Sequence, residues 1–392
     1  MTDLFTPVKK DLMNNDTAAA VARIQRYLEE PHDIPLNIAI TGQSESGKST
    51  FVNALRGKKS KDEGVAPTSM TQNTLKCTSY PHPDYPNVTL WDLPGIGTTT
   101  FPADKYLELV EFEKFDFFII ISDTRFREND VKLAQEIQRM KKKFYFVRSK
   151  IDKNIHDEEG KKDFSKEGIL RKIRDDSVQG LTDLGIESPQ VFLVSGFELH
   201  LYDFSLLHET LERELPAHKR DALLFAMPNI NLEIISKKKE DFQSRIKYYS
   251  SLSAAVAAVP VPGLSAATFN LSLITSVVTD YVAGFGLDKQ SLEKLAASSG
   301  VSYDDLCAVI KSELAKVKIT KEFLMKMFIS VAGTAALMAA EKVSRRFSII
   351  VTAVSMSLSF TTTYATLNYF LNQLADDAQR VFNRALGLNM SV

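Results

Sequence analysis

The sequence predicts an α/β domain joined to an all-α domain. Three observations carry this. Five short apolar runs alternate with helical stretches between residues 34 and 205. A glycine- and serine-rich turn separates the first run from the helix that follows it. Beyond about residue 206 the strand signals stop, and helical patterns continue toward the C-terminus. A chain of 392 residues is long enough for two domains. The expected divisions are an N-terminal helical segment at 1–33, the α/β domain at 34–205 and a helical domain at 206–392.

In order, Asn15 or Asp16 can cap a helix whose stripe is Val21, Ile24 and Leu28, and which ends near Pro31. The five runs are "LNIAI" (36–40), "VTLW" (88–91), "FFIII" (117–121), "FYFV" (144–147) and "VFLV" (191–194). Several are too uniformly apolar for a sheet with one wet face, so they suit strands covered on both sides. The stretches between them, such as "ENDVKLAQEIQRMKKK", start acidic and end basic, as the helix dipole favours. The pattern is a doubly wound sheet. The segments beyond 206, "LLHETLERELPAHKRDALLFAM", "INLEIISKKKEDFQSRIKYY", "DKQSLEKLAASSG" and "SYDDLCAVIKSELAKV", read as helices of the C-terminal domain, without an internal repeat.

Charge excludes some functions. The formal net charge is -1 and the pI is near 6.6, so no nucleic-acid partner is expected. The lysine clusters at 58–61, 141–143 and 237–239 read as solvated faces or helix ends. Two cysteines, Cys77 and Cys307, make no disulfide framework, and six scattered histidines make no zinc site. The N-terminus "MTDLFTPVKKDLMNND" lacks the apolar core of a secretory signal, Thr2 excludes N-myristoylation, and a cytoplasmic chain is expected.

The turn after the first run is "GQSESGKST", residues 42–50, or Gly42-x4-Gly47-Lys48-Ser49 between strand and helix. That context makes it a phosphate cradle. Gly42, Ser44, Glu45, Ser46, Gly47 and Thr50 belong to a bend whose backbone N–H groups can converge on phosphate at a helix N-terminus. Lys48 can reach the β- and γ-phosphates, and the Ser49 hydroxyl can ligate Mg²⁺. "VTLWDLPG" supplies Asp92 as a second Mg²⁺ partner and Gly95 as an N–H donor to the γ-phosphate. "RSKID" places Ser149, Lys150 and Asp152 where an N/T-K-x-D element reads guanine: the carboxylate takes N1–H and N2–H₂, and the lysine stem stacks on the ring. Ser195 and Gly196 can offer a backbone N–H to guanine O6. The expected ligands are therefore GTP or GDP with Mg²⁺.

In the switch stretch "DEGVAPTSMTQNTLKC", Thr68 is the first candidate to complete the Mg²⁺ shell, Thr74 the second, and Thr71 stays open. Small Ras-like GTPases carry a water-orienting Gln after the DxxG glycine; here Ile96 follows Gly95. An apolar side chain cannot orient water, so an isolated monomer is expected to turn over slowly.

"GQSESGKSTFVNALRG", "VTLWDLPGIGTTTFP", "FDFFIIISDTRFREND" and "KKFYFVRSKID" closely resemble the immunity-related (interferon-inducible) GTPases of vertebrates. The resemblance covers 36–205 strongly and continues more loosely into the helical part. It implies a G domain with a doubly wound mixed sheet on a helical domain built from both chain ends. It implies GTP-dependent self-association through G-domain faces and work at intracellular membranes, notably pathogen vacuoles. Lys48 with Ser49 matches the effector branch; the regulatory branch carries Met at the lysine position. Effector relatives have a glutamate implicated in hydrolysis where Gln72 aligns, and Gln can orient water but cannot act as a base.

Two long stretches lack charge. Tyr248–Thr279 is divided by "VPVPG", so neither half reaches the ~20 residues that span a bilayer. Phe347–Ala375 is long enough but rich in Ser and Thr. Buried helices of the all-α domain are the first expectation, and helices able to dock on a membrane face the second. A self-associating GTPase acting peripherally at vacuolar membranes is the expected function; the alternative is a nucleotide-gated scaffold with little hydrolysis.

Overall fold

The computed structural model describes residues 34–58, 62–68, 77–94, 110–161, 164–229, 231–258, 266–316 and 350–387, with positions 7, 10, 11, 19, 23, 319, 323 and 327. The chain forms two compact units, residues 34–230 and residues 1–33 together with 231–392.

In the first unit the described elements run β1 (Leu36–Gly42), α1 (Lys48–Leu55), β2 (Thr78–Pro81), β3 (Val88–Asp92), β4 (Phe117–Ser122), α2 (Glu128–Arg139), β5 (Lys143–Arg148), α3 (Ile151–Glu158), α4 (Lys166–Asp183), β6 (Val191–Leu193), α5 (Phe204–Glu214) and α6 (Ala217–Ala226). The sheet order is β2-β3-β1-β4-β5-β6. Pairing is parallel throughout except at β2, which runs antiparallel to β3 with Thr78 opposite Asp92. Mixed and doubly wound, it is the sheet of a P-loop G domain. The five apolar runs became β1, β3, β4, β5 and β6. All six residues of β4 are buried, which is why that run has no polar alternation. Parallel strands need crossovers, and α1, α2, α3 and α4 supply them.

β2 was not expected. "TSYP" is short, half exposed on alternate residues and ends in proline, the composition of an edge strand. The division between domains also differs from the expected 205/206. α5 and α6, assigned from sequence to the helical domain, lie in the sheet-containing unit. Their apolar faces explain it: Phe204, Leu207, Leu211 and Leu223 are buried, with α5 against β6 and α6 against β1 and β3.

In the second unit lie α7 (Leu232–Ala258), α8 (Ala266–Gly284), α9 (Lys289–Ser299), α10 (Tyr303–Ala308) and α11 (Ile350–Ala385). Asp288 caps α9 by accepting from Ser291 N at 3.0 Å, and Ser302 caps α10 by accepting from Asp305 N at 3.1 Å. α11 packs along α7 and α8. Both uncharged stretches contribute to that core: Leu252, Ile274 and Val278 from one, Leu367, Phe370 and Leu374 from the other. Their hydroxyls pair inside it, Ser253 Oγ lying 2.6 Å from Ser359 Oγ and 2.8 Å from Thr363 Oγ1. Those bonds offset the cost of burying Ser and Thr between apolar helices. Among the described residues no helix is long and apolar enough to cross a membrane. The "VPVPG" break and the helix expected at 15–31, apart from Ala19 and Arg23, lie outside the described residues.

Candidate active site

The glycine-rich turn sits where β1 ends and α1 begins. Gly42 has φ 137°, and a Cβ there would lie 2.0 Å from the Ile121 carbonyl oxygen of β4. Only glycine fits so close to the neighbouring strand. Gly47 (φ 96°) is the N-cap of α1, so the free N–H groups of that helix face the loop. Ser44 and Glu45 are exposed, Ser46 is buried, and its Oγ has no hydrogen-bond partner among the described residues.

Lys48 is 6% exposed and its Nζ donates to the Gln43 carbonyl oxygen at 2.8 Å, closing the loop on itself. Burial pushes this ammonium below its ordinary range, while the charges of Asp92 and Asp130 pull it back up. Ser49 Oγ donates to Asp92 Oδ2 at 2.5 Å, which joins the start of α1 to the end of β3. Asp92 is itself buried.

The Ser149–Asp152 element packs on the same turn. Ser149 Oγ donates to the Ser46 carbonyl oxygen at 2.6 Å, tying β5 to the phosphate loop. Lys150, held at φ 56°, donates from Nζ to the Glu45 carbonyl oxygen at 2.7 Å and to Asp123 Oδ2 at 2.6 Å. Those bonds extend its stem along the loop edge. Asp152 stands in the first turn of α3 with Oδ1 buried and, among the described residues, without a hydrogen bond. A buried carboxylate oxygen left in this way is suited to a ligand's N–H donors. Ser195 is fully buried and its Oγ accepts from Phe197 N at 3.1 Å and Glu198 N at 3.2 Å. A Cβ on Gly196 would come within 3.0 Å of Thr50 Cγ2, so this loop lies directly against α1.

The chain before Thr68 is pinned to α1: Asn53 Nδ2 donates to the Ala66 carbonyl oxygen and Ala66 N donates to Asn53 Oδ1, both at 2.8 Å. Thr68 is exposed. Gln72, Thr71, Thr74, Gly95 and Ile96 lie outside the described residues. Two acidic residues escaped the sequence reading. Asp123 fixes Lys150, and the buried Asp130 accepts from Gln43 Nε2 and adds, after Asp92, to the charge felt by Lys48. An aspartate at a strand end or in the first turn of a helix has an ordinary local explanation, so only the tertiary contacts single them out.

The model of the interferon-inducible GTPase family matches residues 2–385. The chain belongs to that family. Interferon-inducible GTPase 5 of Rattus norvegicus is 39% identical over 375 residues, which is 95% of this chain and 80% of the relative. Interferon-gamma-inducible GTPase 10 of Mus musculus is 35% identical over 387 residues, 98% of this chain and 90% of that one. Among solved structures, Era in complex with MgGDPNP matches with TM-score 0.33 and 22% identity, over 47% of this chain and 58% of that one, too low to carry weight. As an interferon-inducible GTPase, the protein binds guanine nucleotide and hydrolyses GTP.

The Mg²⁺ expectation can be weighed on the donors present. No group of three or more His, Cys, Asp or Glu suited to a metal occurs among the described residues. Mg²⁺ in a nucleotide site needs none, because it takes most of its oxygens from phosphates and water. One hydroxyl and one carboxylate 2.5 Å apart, Ser49 and Asp92, fit that requirement.

Proposed function

We propose that this interferon-inducible GTPase is a self-associating, Mg²⁺-dependent enzyme. In this reading it acts from the cytoplasm at intracellular membranes, those around pathogen vacuoles among them, in cell-autonomous immunity. The carrying observation is the convergence on one loop of Lys48, the Ser49–Asp92 pair and the Ser149–Lys150–Asp152 element. Ser49 and Asp92 would hold Mg²⁺, with Thr68 the first switch residue to join them. The ion would neutralise charge on the β- and γ-phosphate oxygens. Lys48 binds the same oxygens from the loop side, and the N–H groups at the start of α1 orient them. Asp152 selects the base by accepting two N–H bonds that adenine cannot make.

Self-association rests on Ile96 and Gln72. Neither can serve as a base, and Ile96 stands where small GTPases place the residue that orients water. A second copy meeting the first across the switch face would complete the site. Membrane action rests on the family's character and on the uncharged stretches of α7, α8 and α11. The test is GTP turnover per molecule over a wide protein-concentration range, with light scattering in GTP and in GDP. Specific activity that rises with concentration, with assembly only in GTP, is expected. Flat activity with a monomer in both nucleotides favours the scaffold alternative; co-flotation with vesicles checks the membrane part separately.

A further inference from the structure

Asp130 has no place in the nucleotide chemistry derived above. It stands in the first turn of α2 and is 0% exposed. Its Oδ2 accepts from Arg127 N at 3.0 Å and from Gln43 Nε2 at 3.3 Å, while Oδ1 is buried without a hydrogen bond among the described residues. A carboxylate needed only to cap a helix does so at lower cost near water. A charge buried with incomplete hydrogen bonding persists where it offsets another. Two cations act on Asp130 electrostatically, Arg127 first and Lys48 after it, and the enclosed Lys48 in turn feels Asp92 first and Asp130 next. Gln43 links Asp130 and Lys48 physically. Its side-chain amide donates to Asp130, and its carbonyl oxygen accepts from Lys48 Nζ at 2.8 Å and from Ser46 N at 3.3 Å.

We propose that Asp130 is a positioning residue, a second resting counter-charge of the phosphate-loop lysine after Asp92, which through Gln43 holds Lys48 in the loop and thereby restrains affinity for nucleoside triphosphate. The inference rests on the nucleotide site proposed above. Incoming phosphate oxygens compete with Asp130 for the Lys48 ammonium. A triphosphate, which meets that ammonium through both β- and γ-oxygens, feels the competition more than a diphosphate. Neutralising Asp130 removes the competitor and leaves the lysine to the ligand.

Asp130→Asn separates charge from hydrogen bonding, because its amide oxygen can still accept from Arg127 N and Gln43 Nε2. Calorimetric titration with GDP and a non-hydrolysable GTP analogue is made on the parent, Asp130→Asn, Lys48→Ala and the double variant. Asp130→Asn is expected to tighten the analogue by about three- to tenfold and GDP by less, an effect of the size of one partly screened charge. It is also expected to lower the melting temperature without nucleotide and enlarge the rise that the analogue produces. A purely structural residue would lower both melting temperatures alike. In the Lys48→Ala background the tightening should vanish. Unchanged or weaker analogue affinity in Asp130→Asn, or full tightening without Lys48, overturns the proposal. Asp130→Ser serves as a second neutral variant; failure of both to fold would make the carboxylate structural and also overturn it. Failure of the nucleotide reading looks different, since Lys48→Ala would then leave analogue affinity intact.

Discussion

Asp152→Asn is the sharpest perturbation of base recognition. The Asp152 Oδ1 oxygen is buried and has no hydrogen bond among the described residues, so the substitution breaks none at that atom. The fold should hardly notice: a melting temperature without nucleotide within about 2 °C of the parent is expected. Binding should change greatly. In the proposed reading the carboxylate accepts two guanine N–H bonds, each worth about 1.5–3 kcal/mol when one partner is charged. The amide keeps one neutral acceptor and sets a donor against the other guanine N–H, so the cost is roughly 3–6 kcal/mol, or about 10²- to 10⁴-fold in GTP affinity. The new amide can donate to the O2 of xanthine, so XTP should gain what GTP loses. Competition of GTP and XTP against a fluorescent GDP analogue measures both constants. A variant that keeps the parent's preference for GTP would show that Asp152 does not read the base.

Lys48→Ala should abolish hydrolysis and remove most affinity that depends on the γ-phosphate, measured as the ratio of GTP-analogue to GDP binding; an unchanged ratio would refute the phosphate-loop assignment. Gly42→Ala places a Cβ 2.0 Å from the Ile121 carbonyl oxygen, so β1 and β4 must separate. Stability should fall by at least about 2 kcal/mol in a denaturant melt with loss of nucleotide binding, and a parent-like midpoint would contradict the packing. Ser149→Ala deletes the 2.6 Å bond to the Ser46 carbonyl and should cost about 1–2 kcal/mol together with several-fold weaker GDP binding, read by melting and titration. Phe370→Ala should cost about 3–5 kcal/mol, because its ring is fully buried where α11 meets the helical core; a loss below about 1 kcal/mol would mean that this face is not packed as described.

The sheet was legible because its central strands are covered on both faces, and runs such as "FFIII" admit little else. β2 was not, since a four-residue edge strand with two exposed positions carries almost no apolar signal. The division near residue 205 misplaced α5 and α6 because an amphipathic helix does not announce which core receives its stripe; Leu207 and Leu223 would suit either. At the site, spacing between predicted strands and helices singled out Lys48, Ser49, Asp92 and the Ser149–Asp152 element, which the structure brings around one loop. Their contacts were not legible. That Ser149 holds Ser46 across 103 residues, or that Lys150 bridges Glu45 across 105 and Asp123 across 27, depends on strands the fold brings together. The burial of Asp130 was invisible, because a sequence displays an acidic residue in a helix's first turn in the same way whether it faces water or a neighbouring loop.

In the proposed function one loop binds guanine nucleotide with Mg²⁺ and hydrolyses the triphosphate. Phosphate release tests it most directly, with the purified full chain offered GTP or ATP at several protein concentrations, with Mg²⁺ or with a chelator. Release from GTP that needs Mg²⁺, rises per molecule with protein concentration and is absent with ATP is expected. Equal release from ATP, or GTP turnover undiminished by the chelator, would contradict it.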